Sequence, residues 1–149
     1  MAHARKTIRD QIKTSLTGLS TTGSNVTTGR SYPVAVGDLP ALFIYSGPEE
    51  ILRETLTYPR DLERTFTVII EAVDDDKTSA TAEDTMDTIL KEVEVALGAD
   101  PTLSSKARDS YLQSVEVVRQ GDQERTVIIM RMEYVCIYRT KETAPETLT

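Results

Sequence analysis

Tyr111-Leu112-Gln113-Ser114-Val115-Glu116-Val117-Val118-Arg119, then Gln120-Gly121-Asp122-Gln123, then the long run from Glu124 to Thr140 decide how this chain is read. Two β-rich segments rich in Val, Ile and Tyr around a polar turn with a glycine predict a hairpin. The second segment alternates: Ile128, Met130, Met132, Tyr134, Cys136 and Tyr138 share one face, while Val127 and Ile129 share the other with Arg131 and Glu133. A period of two over this length means a strand with one buried face, and the face without charges belongs in the core.

Working back from the hairpin, residues from about Ala80 to Leu97 change period. Met86, Ile89, Leu90, Val93 and Leu97 form a helical stripe, with Glu83, Asp84, Asp87 and Glu94 opposite and Gly98 as the expected C-cap. Ahead of it, Glu50 to Tyr58 and Asp61 to Val73 read as an extended hairpin across Tyr58-Pro59-Arg60-Asp61, with Phe66, Val68, Ile70 and Ala72 on one face. Leu39 to Tyr45 reads as a core strand closed by a turn at Ser46-Gly47-Pro48, and Val26 to Val36, broken by Gly29 and Pro33, as an irregular or edge strand. Ser20 to Asn25 is polar and reads as a loop after Gly18, a helix stop. The chain opens with an amphipathic helix from about Ala4 to Leu19, its inner face Ile8, Ile12, Leu16 and Leu19. The expected fold is therefore α+β: a mixed, largely antiparallel sheet with two main helices packed on it. Residues 1–140 form a single domain, and 141–149, which has no pattern, reads as a flexible tail.

Composition narrows function. At 149 residues the chain is long enough for a core without disulfides or a structural metal. A net charge of -7 argues against a general nucleic-acid binder, which needs a surplus of Lys and Arg on one face. No apolar run approaches the roughly 20 residues needed to span a bilayer, so the expectation is a soluble protein made in the cytoplasm. His3, the sole histidine, lies at the chain end, and Cys136 is the sole cysteine, alternating with core residues. Neither supports nucleophilic catalysis, and no phosphate-binding glycine loop is present, so no enzyme activity and no cofactor are expected. Asp74-Asp75-Asp76 could ligate a hard cation, but three consecutive acids point in different directions and fit a solvated strand end better, so no metal is assigned.

Charge is unevenly placed. The first helix carries Arg5, Lys6, Arg9 and Lys13 against Asp10, whereas Asp74 to Asp100 is strongly acidic with only Lys77 and Lys91 in opposition. Two solvated helix faces would explain this; so would head-to-tail association of unlike patches on neighbouring copies. On the second reading Lys6, Arg9 and Lys13 meet Glu83, Asp84 or Asp87 of a neighbour, and Arg60 and Arg64 join as further contacts.

Ile8-Arg9-Asp10, Leu16-Thr17-Gly18-Leu19, Thr22-Gly23, Arg30 with Tyr32-Pro33, and Leu39-Pro40-Ala41 leading into Ile44-Tyr45 resemble the tail-terminator (tail-completion) proteins of long-tailed bacteriophages. The similarity of order continues through Arg60, Arg64, the middle helix and the closing hairpin. It implies a sheet-and-helix fold and a virion protein that forms a hexameric ring on the last ring of tail-tube subunits. Such a ring stops tube growth and receives the head connector. The implied partners are further copies of the chain, the tube protein and the head-tail connector or neck protein, with no nucleic acid or membrane required. A neck protein of similar size, or a small ligand-binding or regulatory α+β domain with an apolar pocket, are the alternatives.

Overall fold

The computed structural model describes residues 2–29, 39–76, 79–121 and 126–149. The elements run α1 (Ala4–Leu16), β1 (Val26–Thr28), β2 (Ala41–Arg53), β3 (Asp61–Asp75), α2 (Ser79–Gly98), β4 (Asp109–Gly121), β5 (Thr126–Lys141) and β6 (Ala144–Leu148). The six strands make one sheet in the order β1-β2-β3-β5-β4, with β6 beside β5. Among the described strands only the β1–β2 pair is parallel, so the α+β, largely antiparallel expectation holds.

Both helices lie on one face of the sheet. α1 buries Ala4, Ile8, Ile12 and Leu16, one residue per turn, and α2 buries Ala82, Met86, Ile89, Val93 and Leu97. They close over Leu42, Ile44, Phe66, Val68, Ile70, Ala72 and the even-numbered stripe Ile128 to Tyr138 of β5. Each fully buried Ile, Leu or Phe contributes about 1.5–3 kcal/mol relative to exposure, so this layer supplies most of the stabilisation. On the far face the described residues form a smaller cluster of Ala41, Phe43, Val73 and Ile129.

Several elements differ from their sequence-based expectation. α1 ends at Leu16, not Leu19: Thr17 caps it through its N–H to the Lys13 carbonyl at 3.0 Å, and Gly18 takes φ +91°, which L side chains resist. The turn expected at Ser46-Gly47-Pro48 is a bulge inside β2. The register passes from Ser46↔Val68 to Glu49↔Phe66, so Gly47 and Pro48 together oppose Thr67. A Cβ on Gly47 would come within 3.0 Å of the Thr67 carbonyl oxygen, so glycine lets the strands stay close, and Pro48, with no N–H to give, sits where the ladder is already interrupted. β3 runs on to Asp75, two residues past Val73. Gly98 closes α2 without a left-handed conformation; the reversal comes later, at Leu103, Ser104 and Ser105 with φ of 51°, 54° and 67°. The ending expected to be a flexible tail instead forms β6, paired antiparallel to β5 (Thr140↔Leu148), with Leu148 against the main core. The strand expected over Val26 to Val36 is β1 for its first three residues, while residues 30–38, including Arg30 and Tyr32-Pro33, lie outside the described residues. So do Lys77 and the hairpin turn at 122–125.

Candidate assembly surfaces

The alternation that buries Phe66 and Val68 also turns Arg64 towards the helices, and there the structure builds a polar cluster. Glu49, brought onto the same face by the bulge, accepts from Arg64 at 3.2 Å and from the Tyr138 hydroxyl at 2.7 Å, and forms an ion pair with Arg5 at 3.0 Å. Arg64 Nε donates to Thr140 Oγ1 at 3.1 Å. The Arg5 guanidinium also lies over the Phe66 ring, 4.7 Å from its centroid, and Phe66 meets Tyr138 edge to face. Burial, then the bond to the Glu49 carboxylate, raises the Tyr138 phenol above its ordinary value. Arg64, expected as a contact residue, is only 9% exposed and is engaged within the protomer by this arrangement. Glu49 and Arg5 are the partners that sequence reasoning missed. A tyrosine at the end of a core stripe and an arginine in register with Phe66 and Val68 were the available signals.

His3 sits at the rim of this cluster and serves α1 as its N-cap, its Nδ1 accepting from the Arg5 backbone N–H at 3.1 Å. Burial first, and then the Arg64 charge, hold its pKa below the ordinary 6.5. Glu49 and Glu146 pull the other way.

The remaining expected contact residues are scattered over the surface. Lys6 pairs with Asp10 one turn on, at 2.6 Å, and Arg9 donates to Ser46 Oγ at 2.9 Å. Lys13 is half-buried in the last turn of α1. Arg60 reaches Glu142 at 3.3 Å and takes the Glu142 carboxylate on its own backbone N–H at 3.0 Å. Glu83 pairs with Arg119 at 3.0 Å, while Asp84 and Asp87 are exposed on the outer side of α2. Since α1 and α2 share one layer, the basic and acidic stripes both lie on the helical side of the molecule.

Asp76, the last of the acidic trio, is bonded to Arg119 at 2.9 Å, and Asp74 Oδ1 accepts from the Asp75 backbone N–H. Among the described residues no three His, Cys, Asp or Glu side chains converge as a metal site. Cys136 is fully buried, and desolvation pushes its thiol up to about 12, which suppresses the thiolate.

The sheet face away from the helices is polar at its centre. Glu71, with no exposed area, bonds to Tyr45 and to Arg131, the latter at 3.0 Å, and Glu133 accepts from Ser114 at 3.0 Å. On the helical side, an open groove of about 330 Å³ runs between the loop after α1 and the second half of α2, lined by Gly18, Leu19, Lys91, Glu92, Val95 and Ala96. Glu92 is already bonded to the Thr21 backbone and hydroxyl, so the groove does not present the convergent polar groups of a small-molecule site. Among the described residues large apolar side chains are exposed at three places: Ile51, Leu52, Leu56 and Tyr58 on the β2–β3 hairpin, Val95 on α2, and Tyr111, Val115, Val117 and Val118 on β4.

No family model and no curated protein matches the chain. Among solved structures, a chain of the "Virion of native gene transfer agent (GTA) particle" is similar with a TM-score of 0.35 and 14% identity, over 91% of this chain and 92% of that one. A likeness at that score carries no argument about role.

Proposed function

We propose that this chain is a non-enzymatic virion subunit that forms a ring on the end of a phage tail tube, stops its polymerisation and receives the head connector. The reading is supported by one observation above others: among the described residues both helices lie on one face of the sheet, and the sheet ends at a β4 edge that is exposed on both faces beyond Leu112. Such a surface is completed by neighbours. The resemblance of the sequence to tail terminators supplies the kind of assembly.

Tube rings stack through unlike faces, so each finished ring offers a new site and growth has no intrinsic stop. A terminator imitates a tube ring on one face and refuses tube subunits on the other, through unmatched charge or shape. The exposed acids Asp84, Asp87 and Glu94 of α2 suit the refusing side. Deleting the gene is expected to leave filled heads unjoined, beside tubes that overrun the normal length. Electron micrographs of such a lysate decide the matter: tubes of uniform normal length joined to heads rule out termination, and absence of tubes points to a tube or baseplate role.

A further inference from the structure

We infer that the first turn of α1 is an acid-sensitive latch: protonation of His3 removes the cap of the helix and frees Ala4 and Arg5 from the sheet, while the rest of α1 stays packed. The latch belongs to the single protomer and goes beyond the reading of the chain as a ring subunit.

An α-helix opens with backbone N–H groups that have no partner inside it, and an acceptor on the N-cap side chain satisfies one of them. Here that acceptor is an imidazole. His3 Nδ1 takes the Arg5 N–H at 3.1 Å, so Nδ1 presents its lone pair and the ring proton sits on Nε2. A protonated imidazole has two N–H groups and no acceptor, so the cap and the imidazolium exclude each other. A Ser, Thr or Asn cap keeps its oxygen across the same pH range.

The first turn holds no substitute. It carries Arg5 and Lys6 and no acid, and Lys6 stands where a Glu or Gln would close a capping box. The imidazolium would join these two cations at the positive end of the helix dipole. Arg64 of β3 also faces His3, against Glu49 of β2 and Glu146 of β6. Glu49 is already shared among Arg64, Tyr138 and Arg5. Burial and then the Arg64 charge hold the His3 pKa below 6.5, so the cap is intact at neutral pH and is lost as pH falls through that lower value.

Opening stays local because the anchors of α1 are unequal. Ile8, Ile12 and Leu16 are fully buried, whereas the first turn contributes only the small Ala4 to the core. When Arg5 leaves, Glu49 keeps Arg64 and Tyr138, and the Phe66 ring beneath the Arg5 guanidinium is bared. The open form therefore presents an aromatic face beside a carboxylate.

Nuclear magnetic resonance on the full chain tests the latch, and His3 is the sole histidine, so its ring signals are unambiguous. Between about pH 7.5 and pH 5 an ordinary histidine titrates and ordinary carboxyls do not. The His3 ring should titrate below 6.5, and the Arg5 amide nitrogen should shift with the same midpoint. Exchange protection of the Ile8 and Arg9 amides, which bond back into the first turn, should fall by roughly fivefold across that range, the usual effect of losing a cap. Protection at Ile12 should hold. His3→Asn, a cap that does not titrate, should keep Ile8 and Arg9 protected throughout, and His3→Ala should show the lower protection already at about pH 7.5. A ring that titrates at or above 6.5, an Arg5 amide that ignores it, or full protection in His3→Ala would each overturn the inference. So would a loss that spreads over the whole helix or persists in His3→Asn.

Discussion

At the scale of single residues, Glu49 holds the most consequential position, because its carboxylate accepts from donors on β3 and β5 and pairs with the Arg5 charge of α1. Glu49→Ala leaves the Arg64 guanidinium enclosed without its anion, a change that typically costs about 3–5 kcal/mol. Tyr138→Phe removes one bond to a charged group and should cost about 1.5–3 kcal/mol. Urea denaturation of both variants checks the order, and a Glu49→Ala loss no larger than that of Tyr138→Phe would show that Arg64 finds water. The left-handed run after α2 gives a change of opposite sign: Ser105→Gly relieves φ of 67° at an exposed site and should stabilise by about 1 kcal/mol. His3 provides a pH signature. Its pKa is lowered in the folded chain, so the unfolded chain binds the proton more readily. The contribution is complete above the unfolded value near 6.5 and is lost as pH falls through the lower folded value. Urea midpoints for wild type should therefore drop as pH falls below about 6.5 relative to His3→Asn, which keeps a capping group but does not titrate. Parallel curves would dismiss His3 as the source.

Among the elements, those with long regular patterns were legible in the sequence and those shaped by partners were not. The β5 stripe and the α2 stripe bury the residues that period alone selects. The bulge at Gly47-Pro48 carries the composition of a turn, and only the neighbouring β3 strand keeps the chain extended there. β6 was illegible for a similar reason: Ala144–Leu148 has no alternating apolar pattern, and its order comes from pairing with β5 and from Leu148 reaching the core. Among the expected contact residues, Arg64 lies on the buried face of β3, because its register with Phe66 and Val68 turns it inward, which charge alone does not reveal. Truncation after Glu142 should consequently destabilise the domain by about 1–3 kcal/mol, with Leu148→Ala accounting for part of it through lost apolar burial. Trimming a tail without structure would leave the thermal midpoint unmoved, and calorimetry of the shortened chain separates the two outcomes.

For the whole molecule, two interface chemistries can be told apart by salt. Contact between Lys6, Arg9 and Lys13 on one copy and Glu83, Asp84 and Asp87 on another would consist of exposed ion pairs, each contributing about 0.2–1 kcal/mol. Those pairs weaken as the screening length falls from about 8 Å at physiological salt to about 3 Å at 1 M. Lys6 and Glu83 already have intramolecular partners, which lowers what either gains from a neighbour. Contact through Leu56, Tyr58 and the β4 valines is instead dominated by apolar burial, which excluded salts such as sulfate strengthen. Light scattering across concentration should thus show association that survives sodium chloride up to about 1 M and rises in sodium sulfate. The double reversal Arg9→Glu with Lys13→Glu should leave it within about twofold, while Leu56→Asp or Val117→Lys should each reduce it by tenfold or more, since a charge buried in an apolar contact costs well over 1.4 kcal/mol. If sodium chloride dissolves the assembly and the charge reversal does the same, the helical stripes carry the ring and the hairpin and edge face something other than a second copy.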